Sequence, residues 1–106
     1  MSPAELLYHE IAANLADARE SKMFGAKCLK APNGKAFSLY WHECMVFKLH
    51  GEAASEALSL DGAQLFTPAE GRPMGGWIQV PFDYADRWNE FAEAALAYVR
   101  EIKKTA

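Results

Sequence analysis

Residues 26–49 read AKCLKAPNGKAFSLYWHECMVFKL. The first five, Ala26-Lys27-Cys28-Leu29-Lys30, alternate in the manner of a half-buried strand. Ala31-Pro32-Asn33-Gly34 interrupts them, because proline fixes φ and Asn-Gly favours the left-handed geometry of a tight turn. Ala36–Trp41 returns as an aromatic strand, with Phe37, Leu39 and Trp41 expected on one face. His42-Glu43 leaves two residues for a connection before a third strand, Cys44–Leu49. Three strands joined by two short turns make an antiparallel meander, and this unit sets the fold class. Tyr40, Met45 and Phe47 are bulky as well, so alternation alone leaves the core face ambiguous.

Working outward, a first helix is expected over Pro3–Glu20. Ser2 suits its N-cap, Pro3 its first turn, and Glu5 stands three residues after Ser2 as in a capping box. Leu7, Ile11, Leu15 and Ala18 recur at helical spacing and define its apolar face. Beyond the meander, Gly51–Leu58 reads as a short helix rich in alanine, closed by Asp61-Gly62. Gln64–Phe66 is expected as a brief strand and Trp77–Val80 as the last one, ended by Pro81. The final helix has Asp83 as N-cap, with Asp86 near its positive end. Its apolar stripe is Tyr84, Trp88, Phe91, Ala95, Val99 and Ile102. The order α-βββ-α-ββ-α predicts an α+β fold: an antiparallel sheet of about five strands, terminal helices on one face, and a short helix in mid-chain.

A chain of 106 residues accommodates one domain, taken here as 1–106. A hydrophobic fraction of 51% with 12% aromatics is enough for a packed core. The net charge of −3 opposes an undirected grip on DNA or anionic lipid. Lys22, Lys27, Lys30 and Lys35 nevertheless lie close together in the sequence and define a local basic patch. Cys28 and Cys44 are the two cysteines. The N-terminal segment is amphipathic and contains acids, and no apolar run approaches the roughly 18 residues needed to cross a bilayer. These features predict a reduced, cytoplasmic protein with no membrane partner.

His42, Glu43 and Cys44 are consecutive, but adjacent strand residues point to opposite faces, so at most two could reach one ion. No Cys-x-x-Cys or His-x-x-x-His spacing supplies further ligands, so neither metal nor cofactor is expected. His42 and Cys44, two apart on a strand, would stand about 7 Å from each other, too far for a catalytic dyad. Cys28 reads as a small core residue, and His9 and His50 as exposed or capping histidines. No Ser-His-Asp signature, phosphate-cradling loop or dinucleotide-binding glycine pattern is present, and no catalytic residue is assigned.

The segment 65–81, LFTPAEGRPMGGWIQVP, places Pro68, Gly71, Pro73, Gly75 and Gly76 before the last strand, which dictates a shaped loop. Arg72 on that loop holds its fork ready for a carboxylate or phosphate, or for an internal pair with Glu70 or a helix C-terminus. Met23, Phe24, Met74 and Trp77 are expected in contact between loop and sheet, with a partner-facing apolar patch as the sharper reading.

Taken in order, Met23-Phe24-Gly25, the strand–turn–strand through Asn33-Gly34-Lys35 and Phe37, Phe66-Thr67-Pro68, Gly71-Arg72-Pro73-Met74 and the Trp77–Pro81 strand form a pattern. It resembles the N-terminal domain of the TfoX (Sxy) family of bacterial competence regulators, which shares a small α+β architecture with YjbR-like proteins. The resemblance implies a non-enzymatic regulatory or protein-interaction module, acting with a partner in transcription regulation and competence. Its surface would be Met23, Phe24, Gly25, Arg72, Pro73, Met74 and Trp77. It assigns no catalytic residues. Two departures stand out: Ala26-Lys27-Cys28 replaces the Gly-Gly or Gly-Tyr common after Met-Phe-Gly, and the regulators' C-terminal helical domain does not follow before Ala106. Functions needing both domains are therefore not carried over. The alternatives are direct nucleic-acid binding through Lys22, Lys27, Lys30 and Lys35 with Phe24 or Phe37 nearby, and a small-ligand domain or unrecognised enzyme. The last requires a concave pocket holding Arg72 or His42. Open sheet edges also invite homodimerisation by strand pairing.

Overall fold

The computed structural model of the chain describes residues 2–23, 25–67 and 75–101. Its elements are α1 (Pro3–Asn14), β1 (Arg19–Met23), β2 (Ala26–Lys30), β3 (Ala36–Trp41), β4 (Cys44–Lys48), α2 (Gly51–Leu58), β5 (Gln64–Leu65), β6 (Trp77–Pro81) and α3 (Ala85–Arg100), with a 3-10 turn over Phe82–Tyr84. The strands form one antiparallel sheet in the order β1-β2-β3-β4-β6-β5. All three helices pack on one face of it, giving the expected α+β arrangement with six strands. Among the described residues no helix is long and apolar enough to cross a membrane.

The sequence reading of α1 requires correction. The Ser2 hydroxyl accepts the Glu5 N–H at 3.2 Å, as an N-cap should. The helix stops at Asn14, however, with Leu15 already extended at φ −94°, ψ 102°. Arg19–Met23, expected partly as helix, pairs instead along the whole of β2. Arg19, Glu20 and Lys22 are charged and exposed, as edge-strand residues often are, so neither helical nor strand periodicity marks the segment. Pairing with β2 overrides a weak local propensity. The start of α3 also shifts: the 3-10 turn absorbs Asp83, and Tyr84 rather than Asp83 occupies the cap position. The stripe Trp88, Phe91, Ala95 and Val99 is buried as the spacing predicts.

The faces of the meander are sorted by a bulge. Leu29 pairs with Ser38 and Lys30 with Ala36, so Phe37 has no partner on β2. A bulge of this kind places two consecutive side chains on one side of the sheet. Phe37 therefore joins the helix-side core with Leu29, Tyr40, Met45 and Phe47, while Leu39 and Trp41 fall on the other side. The expectation that Phe37, Leu39 and Trp41 share a face fails for this reason. On the helix side, α3 crosses β3 and β4, with Phe91 packed 5.8 Å from Phe47 between ring centroids. The opposite side carries a second small core of Cys28, Leu39, Val46, Phe66 and Trp77, with the Trp41 ring edge-on to Phe66 at 5.2 Å.

The turn between β2 and β3 forms with Gly34, and not Asn33, in the left-handed region. Gly34 adopts φ +84°, and its N–H donates to the Ala31 carbonyl at 2.9 Å. Asn33 accepts the Lys35 N–H at 3.1 Å and donates from Nδ2 to the Val99 carbonyl at 2.9 Å. That last bond ties the C-terminal end of α3 to the turn.

Candidate functional site

The opposite end of the sheet holds an open concavity. There the β1–β2 and β3–β4 turns stand side by side, and the start of α1 lies against them. A cleft of about 420 Å³ is lined by Gly25, Ala26, Lys27, Tyr40, Trp41 and His42. The two-residue connection His42-Glu43 closes the hairpin between Trp41 and Cys44. Both residues have positive φ, +46° and +65°, in a turn geometry that ordinarily takes Asn-Gly. His42 is exposed, and the ring of Trp41 meets it edge-on at 4.8 Å.

A polar network braces the cleft from the α1 side. The Ser2 hydroxyl donates to Glu43 Oε2 at 2.7 Å and lies 3.2 Å from the Tyr40 hydroxyl. Since its one proton is directed to Glu43, the Tyr40 O–H is the donor to Ser2. Burial pushes the Tyr40 hydroxyl above its usual pKa, with the Glu43 carboxylate adding to the shift. Lys27 donates to Glu5, and that hydrogen bond holds the Glu5 carboxyl below its usual value. His9 bridges onward, with Nε2 at 3.7 Å from Glu5 and Nδ1 at 3.0 Å from Glu20. Tyr40 is itself backed by the fully buried Tyr8, whose ring lies 5.6 Å away between centroids.

The cysteines stand apart from this network. Cys44 is half-buried at the start of β4, and Gln79 Nε2 approaches its sulfur at 3.6 Å. Burial raises its thiol pKa, and burial does the same to Cys28. Both are therefore held as neutral thiols, the less nucleophilic form. His42 sits on the turn and Cys44 on the strand, so the two are not spaced as consecutive same-face strand residues. Among the described residues no group of three or more His, Cys, Asp or Glu side chains is placed to hold a metal ion.

The sequence-derived surfaces fare unevenly. Phe24, Arg72, Pro73 and Met74 lie outside the described residues, as does the side chain of Met23. Gly25 lines the cleft at φ +74°. Trp77 lies on the helix-free side, buried, with the Lys48 ammonium 5.4 Å from its ring centroid. The four lysines do not converge. Lys22 and Lys27 are directly opposite each other on the helix side, and Lys27 already has Glu5. Lys30 points to the other side opposite Arg19, and Lys35 belongs to the turn at the far end of β3. Strand alternation divides what the linear spacing gathered. His50 precedes α2 and stacks on Tyr98 at 4.0 Å without a side-chain capping bond.

Sequence reasoning singled out His42 but not its companions Lys27, Tyr40 and Trp41 as a group. A two-residue connection without glycine or asparagine was the available signal. No protein-family model, curated protein or solved structure matches this chain.

Proposed function

We propose that this chain is a cytoplasmic, non-catalytic binding module that receives a protein partner at the cleft between the β1–β2 and β3–β4 turns. The observation that carries the reading is the His42-Glu43 tip. Two non-glycine residues are kept in left-handed conformation beside an open cleft whose lining includes Lys27, Tyr40 and Trp41. Backbone strain of this kind persists where the surroundings enforce it and collects at functional positions. Trp and Tyr, both present here as Trp41 and Tyr40, are among the side chains from which interface hot spots are built. The neutral state of Cys44 favours binding over nucleophilic chemistry. The resemblance to TfoX N-terminal domains points the same way, toward a regulator of transcription or competence that works with a partner.

The test compares tagged wild type with Trp41→Ala and His42→Asn in capture from native lysate, with and without nuclease. Circular dichroism first establishes that each variant is folded. The expected result is a protein held by wild type, resistant to nuclease, and retained at least about tenfold less by both variants. Equal capture by wild type and both variants refutes the cleft as the binding site. Loss of all captured material on nuclease treatment replaces the reading with nucleic-acid binding.

A further inference from the structure

β1 is the outermost strand on its side of the sheet, so one row of its N–H and C=O groups points away from the molecule. Such a row is a template for another strand. Its side chains alternate by face: Glu20 and Lys22 on the helix side, Arg19 and Ser21 on the other. Lys22 is poorly matched within the chain. It stands directly opposite Lys27, and it makes no ion pair among the described residues. Like charges in that position are destabilising, and Glu5 compensates only Lys27.

We propose that a second copy of this chain pairs with β1 across a two-fold axis at Ser21, forming a continuous antiparallel sheet through the dimer. This inference stands on the edge strand and is independent of the occupant of the cleft. An antiparallel self-pairing has few registers available to it, and charge separates them. Centring the axis on Glu20 sets Glu20 against its own copy, and centring it on Lys22 sets two lysines together. A register centred between Glu20 and Ser21 would oppose residues of different faces and turn one sheet over, which a two-fold axis does not allow. Centring on Ser21 places Glu20 of each copy opposite Lys22 of the other, twice by symmetry, and Arg19 opposite Met23. That register supplies the carboxylate that Lys22 lacks. Because directly opposed residues share a face, both ion pairs form on the helix side, where His9 already holds Glu20 at 3.0 Å.

The test is sedimentation equilibrium of the purified chain over a concentration series, with Glu20→Lys, Lys22→Glu, and an equimolar mixture of the two variants. Each single reversal turns both unlike pairs into like ones and should weaken dimerisation by about tenfold or more. Mixing the variants restores unlike charges at both contacts, so a heterodimer of near wild-type affinity should appear. Added salt should weaken the wild-type dimer. The proposal is overturned by a wild-type chain that stays monomeric throughout the series, or by a dimer that neither reversal affects. A mixture that fails to re-associate excludes the Ser21-centred register. None of these outcomes depends on the partner-capture result.

Discussion

Replacing His42-Glu43 by Asn-Gly should make the protein more stable, although it removes a hydrogen bond. The two residues sit at φ +46° and +65°. For an L residue the left-handed region costs about 1–2 kcal/mol, which asparagine reduces and glycine abolishes. Two effects oppose the gain. Glycine enlarges the unfolded ensemble by about 0.4–1 kcal/mol. Removing Glu43 also deletes the exposed 2.7 Å hydrogen bond from Ser2, a loss of about 0.5–1 kcal/mol. The balance is a stabilisation of about 1 kcal/mol, which raises Tm by about 4–8 °C for a domain of this size. Thermal and urea unfolding of the His42→Asn/Glu43→Gly protein, followed by circular dichroism, measures the change. Glu43→Ala measured alongside, which keeps a side chain at φ +65° but deletes the carboxylate, isolates the lost hydrogen bond. An unchanged or lowered midpoint in the double variant would refute the argument that the tip is strained. A rise accompanied by weaker partner capture is the pattern expected where strain is retained for binding.

Two further outcomes follow from the same geometry. The Glu5 carboxyl is held below its usual value of 4.5 chiefly by the Lys27 hydrogen bond. A depressed folded-state pKa contributes stability above the unfolded value and loses it as pH falls through the folded one. Lys27→Met should therefore flatten the loss of stability below pH about 4.5; urea midpoints that fall as steeply as in wild type would show that this pair carries none of the acid sensitivity. With iodoacetamide at neutral pH, Cys44 should alkylate before the fully buried Cys28, and both more slowly than an unfolded thiol. Equal rates by mass spectrometry would contradict the burial assigned to Cys28.

Much of the local architecture was legible. Pro32-Asn33-Gly34 specified its turn, the apolar stripe of α3 specified its buried face, and Ser2 with Pro3 marked the start of α1. The misreadings share one cause, which is dependence on pairing partners distant in sequence. Arg19–Met23 carries no periodic signal because its partner is β2 and its outer edge is exposed. Phe37 and Leu39 separate because of a register shift against Leu29 and Lys30. The candidate site was legible only at His42. Lys27 and Tyr40 join it because β2 and β3 lie side by side, and Glu43 is braced by Ser2 from forty-one residues away in the chain.

The sequence by itself determined the antiparallel meander, the helices around it and their α+β class. Turn chemistry and side-chain periodicity act between residues a few positions apart, so they can be read without knowing the fold. Only the tertiary structure decided where α1 gives way to an edge strand, which meander face meets the helices, and which side chains share the cleft. Those outcomes rest on strand register and on packing between distant segments, and a shift of one residue transfers every side chain to the opposite face.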